Sequence, residues 1–264
     1  MSYLVYKYCP GMKIFLLCYY FYFFLILTNK IFIKAYLINY WPMSNLSDVI
    51  GGAHLYSGSN YTFVTDRLQR NNEAIAFNMG YLSIPAGVYI SGDFTITAWI
   101  YIISYRRSFR IIEFGNGKEN DNVFLAMNGN SSHFYFYLMI YQNKINECPG
   151  DKPDCNLFFS YRKLGESPIQ LKRWYHVAYA VEEKSASFYI NSINKTHTGY
   201  IYENEQEIIT EEIVKPKGVL RKVNYIGRSG WPQDENAHAI YDDIKIYRGA
   251  LQPADVENEY SNEA

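Results

Sequence analysis

The chain has 264 residues, 48% hydrophobic and 18% aromatic, with 27 Tyr and 16 Phe. That content supports a packed core and excludes a disordered chain; a formal net charge of −1 excludes a global field that would recruit nucleic acid. The length suits one large β domain or two small ones, and the aromatic excess favours pleated, half-buried surfaces.

The first element in chain order is the uncharged apolar run at residues 14–27, IFLLCYYFYFFLIL, preceded by Lys13. It suits the core of a signal peptide better than a membrane span, which needs about 20 apolar residues. Residues 1–35 are therefore read as a signal peptide, cut after Ala35, or as a retained signal anchor. Lysines flank the run on both sides, so orientation stays open. Lys7, Lys13, Lys30 and Lys34 are the charged residues of this segment, which leaves the remainder mildly acidic. Four N-x-S/T sequons, at Asn45, Asn60, Asn130 and Asn194, agree with a secretory route. Cys9 and Cys18 fall in the N-terminal segment. Cys148 and Cys155, in the turn-rich CPGDKPDC, can close a small disulfide loop in an oxidising compartment. Zinc would need a second Cys or His pair at ligand spacing, and none is nearby.

From residue 36 onward, short apolar or alternating runs recur between turn residues. Strands are predicted at 36–41, 61–65, 74–77, 80–84, 94–102, 109–114 and 122–127. Further strands are predicted at 133–141, 157–161, 174–181, 187–190, 224–226 and 239–247. In GDFTITAWIY, Phe94, Ile96, Ala98 and Ile100 point one way and Thr95, Thr97, Trp99 and Tyr101 the other, which is the period of a sheet strand. Gly115-Asn116-Gly117 and Asn128-Gly129-Asn130 read as turns. Residues 203–212, ENEQEIITEE, read as an exposed excursion. Residues 252–260 carry Pro and early acids, the start of a short terminal helix. Many strands without alternating helices indicate a two-sheet antiparallel sandwich or jelly roll.

In order along the chain, these segments resemble the laminin-G-like, concanavalin A-type jelly rolls. Tyr40-Trp41-Pro42 with Asp48 and Gly51-Gly52 resembles the opening strand and turn, and Gly80–Pro85 the second motif. Phe94–Ile100 resembles the central strand, and Trp174-Tyr175-His176-Val177-Ala178 the W-x-H-V-A strand. Phe188–Asn191, Tyr225–Ser229 and Asp242–Tyr247 resemble the following hairpin strand, the I-G-R turn and the closing strand. The match covers about residues 36–260 and implies one jelly-roll domain over 36–264. Ser192 stands where the family has Gly after Asn191, which suggests a longer hairpin turn here. Such domains bind glycans, proteins or steroids, or are structural, so the resemblance implies a fold and leaves the ligand open.

Among candidate site residues, Trp99 and Trp174 read as core residues of alternating strands, and His176 as a hydrogen-bonded structural histidine. His54, His133, His197 and His238 form no metal or catalytic spacing. Asp242 shares parity with Ile240, Ile244 and Ile246, which turns it inward and Asp243 the other way. An inward carboxylate needs a partner. Calcium is one, with Asp48 as a second ligand; backbone N–H groups or an arginine are the other. No other cofactor is implied. No G-x-S-x-G, H-E-x-x-H or P-loop occurs. Glu113 nears Asp121 only across a turn, so neither that pair nor Asp242-Asp243 makes the same-face carboxylates of a glycosidase. Tyr105-Arg106-Arg107 reads as a solvated loop, with an anionic-glycan contact as the sharper option.

The expectation is a secreted or membrane-anchored recognition module, not an enzyme, whose partner is an extracellular glycan or protein. Nucleic acid is not expected, and membrane contact only through the N-terminal anchor. A structural domain without a small ligand is the alternative, and a glycosidase of related fold is disfavoured.

Overall fold

Alternation of apolar and polar residues is what places most of these segments in sheets, and the central strand shows it. Phe94, Ile96, Ala98 and Ile100 are fully inside the main core, while Thr95, Thr97 and Trp99 pack on the opposite face. The computed structural model describes residues 34–130, 133–143, 156–160, 169–183, 185–195, 199–203, 206–210 and 215–263.

The described strands are β1 (Tyr36–Trp41), β2 (Tyr56–Val64), β3 (Ala74–Ile84), β4 (Phe94–Ile102), β5 (Arg110–Gly115), β6 (Val123–Asn130), β7 (His133–Asn143) and β8 (Asn156–Ser160). They continue as β9 (Trp174–Glu182), β10 (Ser185–Ile190), β11 (Ile193–Asn194), β12 (Gly199–Glu203), β13 (Gln206–Thr210), β14 (Val223–Ile226) and β15 (Ala237–Arg248). One helix, α1 (Pro253–Glu263), follows. Among the described residues no helix is long and apolar enough to cross a membrane.

The strands pair antiparallel in the order β11-β10-β9-β4-β15-β3-β14-β5-β6-β7-β8-β12-β13, with β1 on β15 and β2 on β3. The sheet curls until its distant strands face each other: the Phe136 ring of β7 lies 6.1 Å from Phe188 of β10, and the Tyr179 hydroxyl of β9 donates to the Phe136 carbonyl. That is the all-β jelly-roll sandwich expected, with its core between the layers. Helix α1 starts at Pro253, whose missing N–H costs nothing in a first turn. It buries Val256 beside Leu251 against Ala178, Ala180, Tyr189 and Tyr247 on the outer face.

Several local expectations need correction. The segments 74–77 and 80–84 are one strand, β3. Residues 206–210 form β13 and pair with β12, so this part of the acidic stretch is sheet and not an excursion. Asn128-Gly129-Asn130 is ladder, paired to His133–Tyr135, and not a turn. The hairpin after β10 is not lengthened: Ile190 pairs with Ile193, and Asn191 and Ser192 both adopt positive φ, 48° and 62°. This is the two-residue geometry that glycine suits best, carried here by Ser192.

Two bulges reset the face that residues take. On β15, Asp242 opposes Trp99 and Lys245 opposes Thr97, so Asp243 and Ile244 share one place opposite Ala98. On β5, Arg110 opposes Ala126 and Ile112 opposes Leu125. In each case one extra residue flips the parity beyond it.

Candidate functional site

The bulge on β5 brings two charged residues to one face. Arg110 and Glu113, three apart, would point to opposite sides of a regular strand. Past the bulge they lie together on the outer face, beside Phe124 of β6. Arg110 Nε donates to Glu113 Oε2 at 2.8 Å, and Nη2 to Asp234 Oδ2 at 2.9 Å. The guanidinium carbon sits 3.9 Å from the centre of the Phe124 ring and 5.3 Å from that of Trp231. Glu113 is 0% exposed. Its Oε1 accepts from Asn122 Nδ2 at 2.9 Å and from the Gly230 amide at 3.1 Å. Burial raises the Glu113 carboxyl above its usual range, against the opposing pull of Arg110.

This buried network fixes the loop from Gly227 to Asn236. Gly227 turns the chain out of β14 at φ 81°. At Gly230 a Cβ would fall 2.8 Å from Glu113 Oε1, so a larger residue would force the carboxylate to shift away from the amide. Ser229 Oγ donates to Asp234 Oδ2 at 2.8 Å and accepts from the Trp231 amide at 3.0 Å. The loop and β14 enclose an open groove of about 420 Å³. Tyr225 and Val223 contribute to the lining from β14, and Arg228, Trp231, Asp234 and Asn236 from the loop. Tyr225, Arg228, Trp231 and Asn236 are half-buried, so each keeps a surface for a ligand.

Arg228 lies over two aromatic rings, 4.6 Å from the centre of Tyr81 and 5.0 Å from that of Tyr225. The rings meet edge to face at 5.7 Å. The segment around Arg106-Arg107 borders the same loop: the Glu235 amide donates to the Arg107 carbonyl, and the Arg107 amide to Glu235 Oε2 at 2.6 Å. Arg106 pairs with Glu235 at 3.7 Å. It is therefore tied to the groove's wall, not simply solvated.

The candidate calcium ligands Asp48 and Asp242 lie elsewhere. Asp48 is buried in the turn after β1, and both oxygens are taken. Oδ1 accepts from the amides of Tyr40, Ile50 and Gly51, and Oδ2 from Asn39 Nδ2 and the Ala53 amide, at 2.6–3.0 Å. Burial pushes this carboxyl up, but the bonds from Tyr40, Asn39, Gly51 and Ala53 together outweigh it and hold it below its usual range. Asp242 is correctly expected to be buried, but not on the core face: the bulge puts it on the outer face with Trp99. Asp243 is not turned away from it, since Arg67 pairs with both. N–H donors at Asp48 and a guanidinium at Asp242 fit hydrogen-bonded carboxylates and do not fit calcium ligands. No group of three His, Cys, Asp or Glu among the described residues could hold a metal.

Trp99 is buried, but beneath α1, with its ring stacked on Tyr260 at 5.6 Å and Arg67 4.6 Å above it. Trp174 is half-buried on that same face against Tyr101. His176 is not hydrogen-bonded through its ring: both nitrogens are buried without a partner, and the ring packs 5.3 Å from Trp99. Asn45, Asn60 and Asn194 are exposed. The side chain of Asn130, both Cys148 and Cys155, and residues 1–33 lie outside what the structure describes.

Residues 78–257 match the family model for the concanavalin A-like lectin/glucanases superfamily, of laminin G type. The chain belongs to this superfamily. No characterised relative is recognisable by sequence comparison. Several solved structures are similar at low identity. Domain 4 of AbnA, a GH43 extracellular arabinanase from Geobacillus stearothermophilus, in complex with arabinotriose, aligns with a TM-score of 0.59 and 16% identity over 85% of this chain and 98% of that one. A Trypanosoma rangeli sialidase in complex with 2,3-difluorosialic acid gives 0.53 and 15% over 86% of this chain and 33% of that one. The botulinum neurotoxin serotype G binding domain gives 0.53 and 14% over 86% and 51%. The chain thus spans about a third of the sialidase and half of the neurotoxin binding domain. At these identities the likeness is one of fold.

The groove's lining falls within residues 223–236, where the sequence shows a turn motif but no periodicity, and the network beneath it comes from the distant segments around Arg110–Glu113 and Asn122. One signal was present: Arg110 and Glu113 interrupt an otherwise apolar strand, and charges in such a run demand partners.

Proposed function

We propose that this chain is a non-catalytic extracellular recognition module that binds glycan in the groove between β14 and the loop Gly227–Asn236. The observation that carries this reading is the partly exposed Trp231, held beside polar side chains by the buried Glu113–Arg110–Asp234 network. A sugar presents an apolar face and polar edges, and a fixed aromatic beside fixed donors and acceptors matches both. Rigid placement lowers the ordering cost of binding. The arabinotriose complex of the similar AbnA domain and the binding domain of the neurotoxin agree with it.

A catalytic reading starts from the two carboxylates that Arg110 draws together. It is disfavoured because a general acid must touch its substrate, and Glu113 has no exposed surface. Both carboxylates also already accept from one guanidinium. The secretory route is part of the proposal and rests on residues 14–27 and the sequons.

The test is a glycan array probed with the ectodomain from a eukaryotic host, with calcium and with chelator, beside Trp231→Ala. Binding that Trp231→Ala abolishes while the fold persists supports the reading. Binding to no glycan, or binding indifferent to Trp231→Ala, overturns it. A cytosolic, unglycosylated product overturns the secretory part.

A further inference from the structure

The groove carries a cation that its buried network does not use. Arg110 is consumed by Glu113 and Asp234. Arg106 faces Glu235. Arg228 lies half-exposed at the groove's edge, and no acidic side chain among the described residues is ion-paired with it. Its guanidinium carbon is held over Tyr81 and Tyr225, and among the described residues no hydrogen bond engages its N–H groups, which leaves them for a ligand. Asp234, the acid lining the groove, does not compete, because its Oδ2 already accepts from Arg110 and Ser229. Arg107 and Lys222 are exposed on segments adjoining the loop and β14, and Glu235, which pairs with Arg106, is exposed beside Arg107, so Arg228 is the cation that lines the groove itself.

We propose that the groove takes an acidic saccharide, whose carboxylate or sulfate group is received by Arg228. This rests on the glycan reading of the same groove and names the class of sugar. A planar guanidinium can meet either oxyanion with two parallel N–H bonds, which a neutral hydroxyl cannot accept in the same way. The Trp231 side of the groove supplies the apolar contact and Arg228 the charge, so a saccharide needs both features to fill it. An ion pair made at a half-exposed arginine is screened by salt, so binding of the acidic sugar should weaken as ionic strength rises.

The test measures affinity of the ectodomain by titration calorimetry for three matched oligosaccharides: one with uronic-acid carboxylates, its carboxyl-reduced form, and a sulfated form. Parent, Arg228→Gln, Arg228→Lys and Trp231→Ala are compared, each checked for folding by circular dichroism. The acidic sugars should bind about ten- to a hundred-fold tighter than the neutral one, a preference that Arg228→Gln removes. Arg228→Lys should restore part of it, since it keeps the charge and loses the fork. Preference between the carboxylate and sulfate arms identifies which group is received. Equal affinity for acidic and neutral sugars, still lost in Trp231→Ala, overturns the acidic subsite and leaves the glycan groove standing. No binding of any saccharide overturns both. An acidic preference that survives Arg228→Gln at full strength overturns the role of Arg228.

Discussion

Arg67 joins Asp242 with one terminal nitrogen and Asp243 with the other, the second bond at 2.8 Å, beneath helix α1. Tyr40 donates its hydroxyl to Asp243 as well, and the Arg67 guanidinium lies over Trp99. A carboxylate pair on consecutive residues thus shares one cation, which the bulge at Asp243 makes possible through a φ of 45°. Removing the cation leaves two buried acids uncompensated. Arg67→Met should cost roughly 3–5 kcal/mol of unfolding free energy, and Asp242→Asn far less, as read by urea denaturation at pH 8. Equal losses from the two variants would show that Arg67 does not hold both acids.

Burial, with Asp243 and Asp66 adding to it and Arg67 opposing, pushes Asp242 up to about 7. A carboxyl whose folded value lies above its unfolded one binds its proton more tightly when folded. Its contribution is fully present below about 3.8 and is lost as pH rises through about 7. The stability of the parent relative to Asp242→Asn should therefore fall between pH 5 and pH 8. A flat difference across that range would mean that Asp242 is ionised throughout.

His176 runs the other way. Burial first, and then Lys245 and Arg67, bring its imidazole down to about 3, so it stays neutral in the fold. Its contribution is complete above 6.5 and is lost as pH falls towards 3. His176→Phe keeps a ring against Trp99 and Tyr260 and removes the titration. It should move the acid-unfolding midpoint to lower pH, followed by near-ultraviolet circular dichroism. An unchanged midpoint would mean that the ring becomes protonated without unfolding.

The strands and the sandwich were legible because period-two alternation is a long, redundant signal. Alternation puts Phe94–Tyr101 on their correct faces residue by residue. The sites were not legible, and the cause is specific: Ile111 on β5 and Asp243 on β15 sit in bulges. A parity count carried through either bulge assigns the wrong face to everything beyond it. Parity therefore sets Asp242 among Ile240, Ile244 and Ile246, and the same count would put Arg110 and Glu113 on opposite faces. Trp231 and Asp234 lie in a segment without periodicity, so no sequence pattern ties them to β5.

The Arg110 network should behave as a unit. Arg110→Met leaves Glu113 and Asp234 without their cation and should cost roughly 3–5 kcal/mol. Adding Glu113→Gln removes the buried charge thus orphaned, so the double variant should be more stable than Arg110→Met alone. A double-mutant cycle by chemical denaturation measures this coupling. Strictly additive losses would mean that Arg110 and Glu113 are not partners in solution.

Cys148 and Cys155 are proposed to close the CPGDKPDC loop as a disulfide. The bond should stabilise secreted protein by roughly 2–3 kcal/mol through loop entropy. Peptide mapping without reductant decides: a linked peptide supports it, and two freely alkylated thiols in secreted material rule it out.

The hairpin between β10 and β11 offers a test of backbone strain alone. Ile190 pairs with Ile193, so Asn191 and Ser192 must turn the chain by themselves, at φ 48° and 62°. Asparagine tolerates the left-handed region through its short polar side chain, and the Asn191 side chain is also used, since its Oδ1 accepts from the His176 amide at 2.9 Å. Serine has no such ease, and it stands at the position where the type I′ turn favours glycine. Ser192→Gly should relieve that strain at the cost of a more flexible unfolded chain. With φ positive the relief should win, raising stability by about 0.5–1 kcal/mol. Ser192→Ala keeps the Cβ and should gain nothing, which separates backbone relief from loss of the hydroxyl. Asn191→Gly should instead lose stability, because it removes the bond to β9. Matched thermal melts of the three variants check the ordering; a Ser192→Gly midpoint at or below the parent's would mean that the turn is not strained.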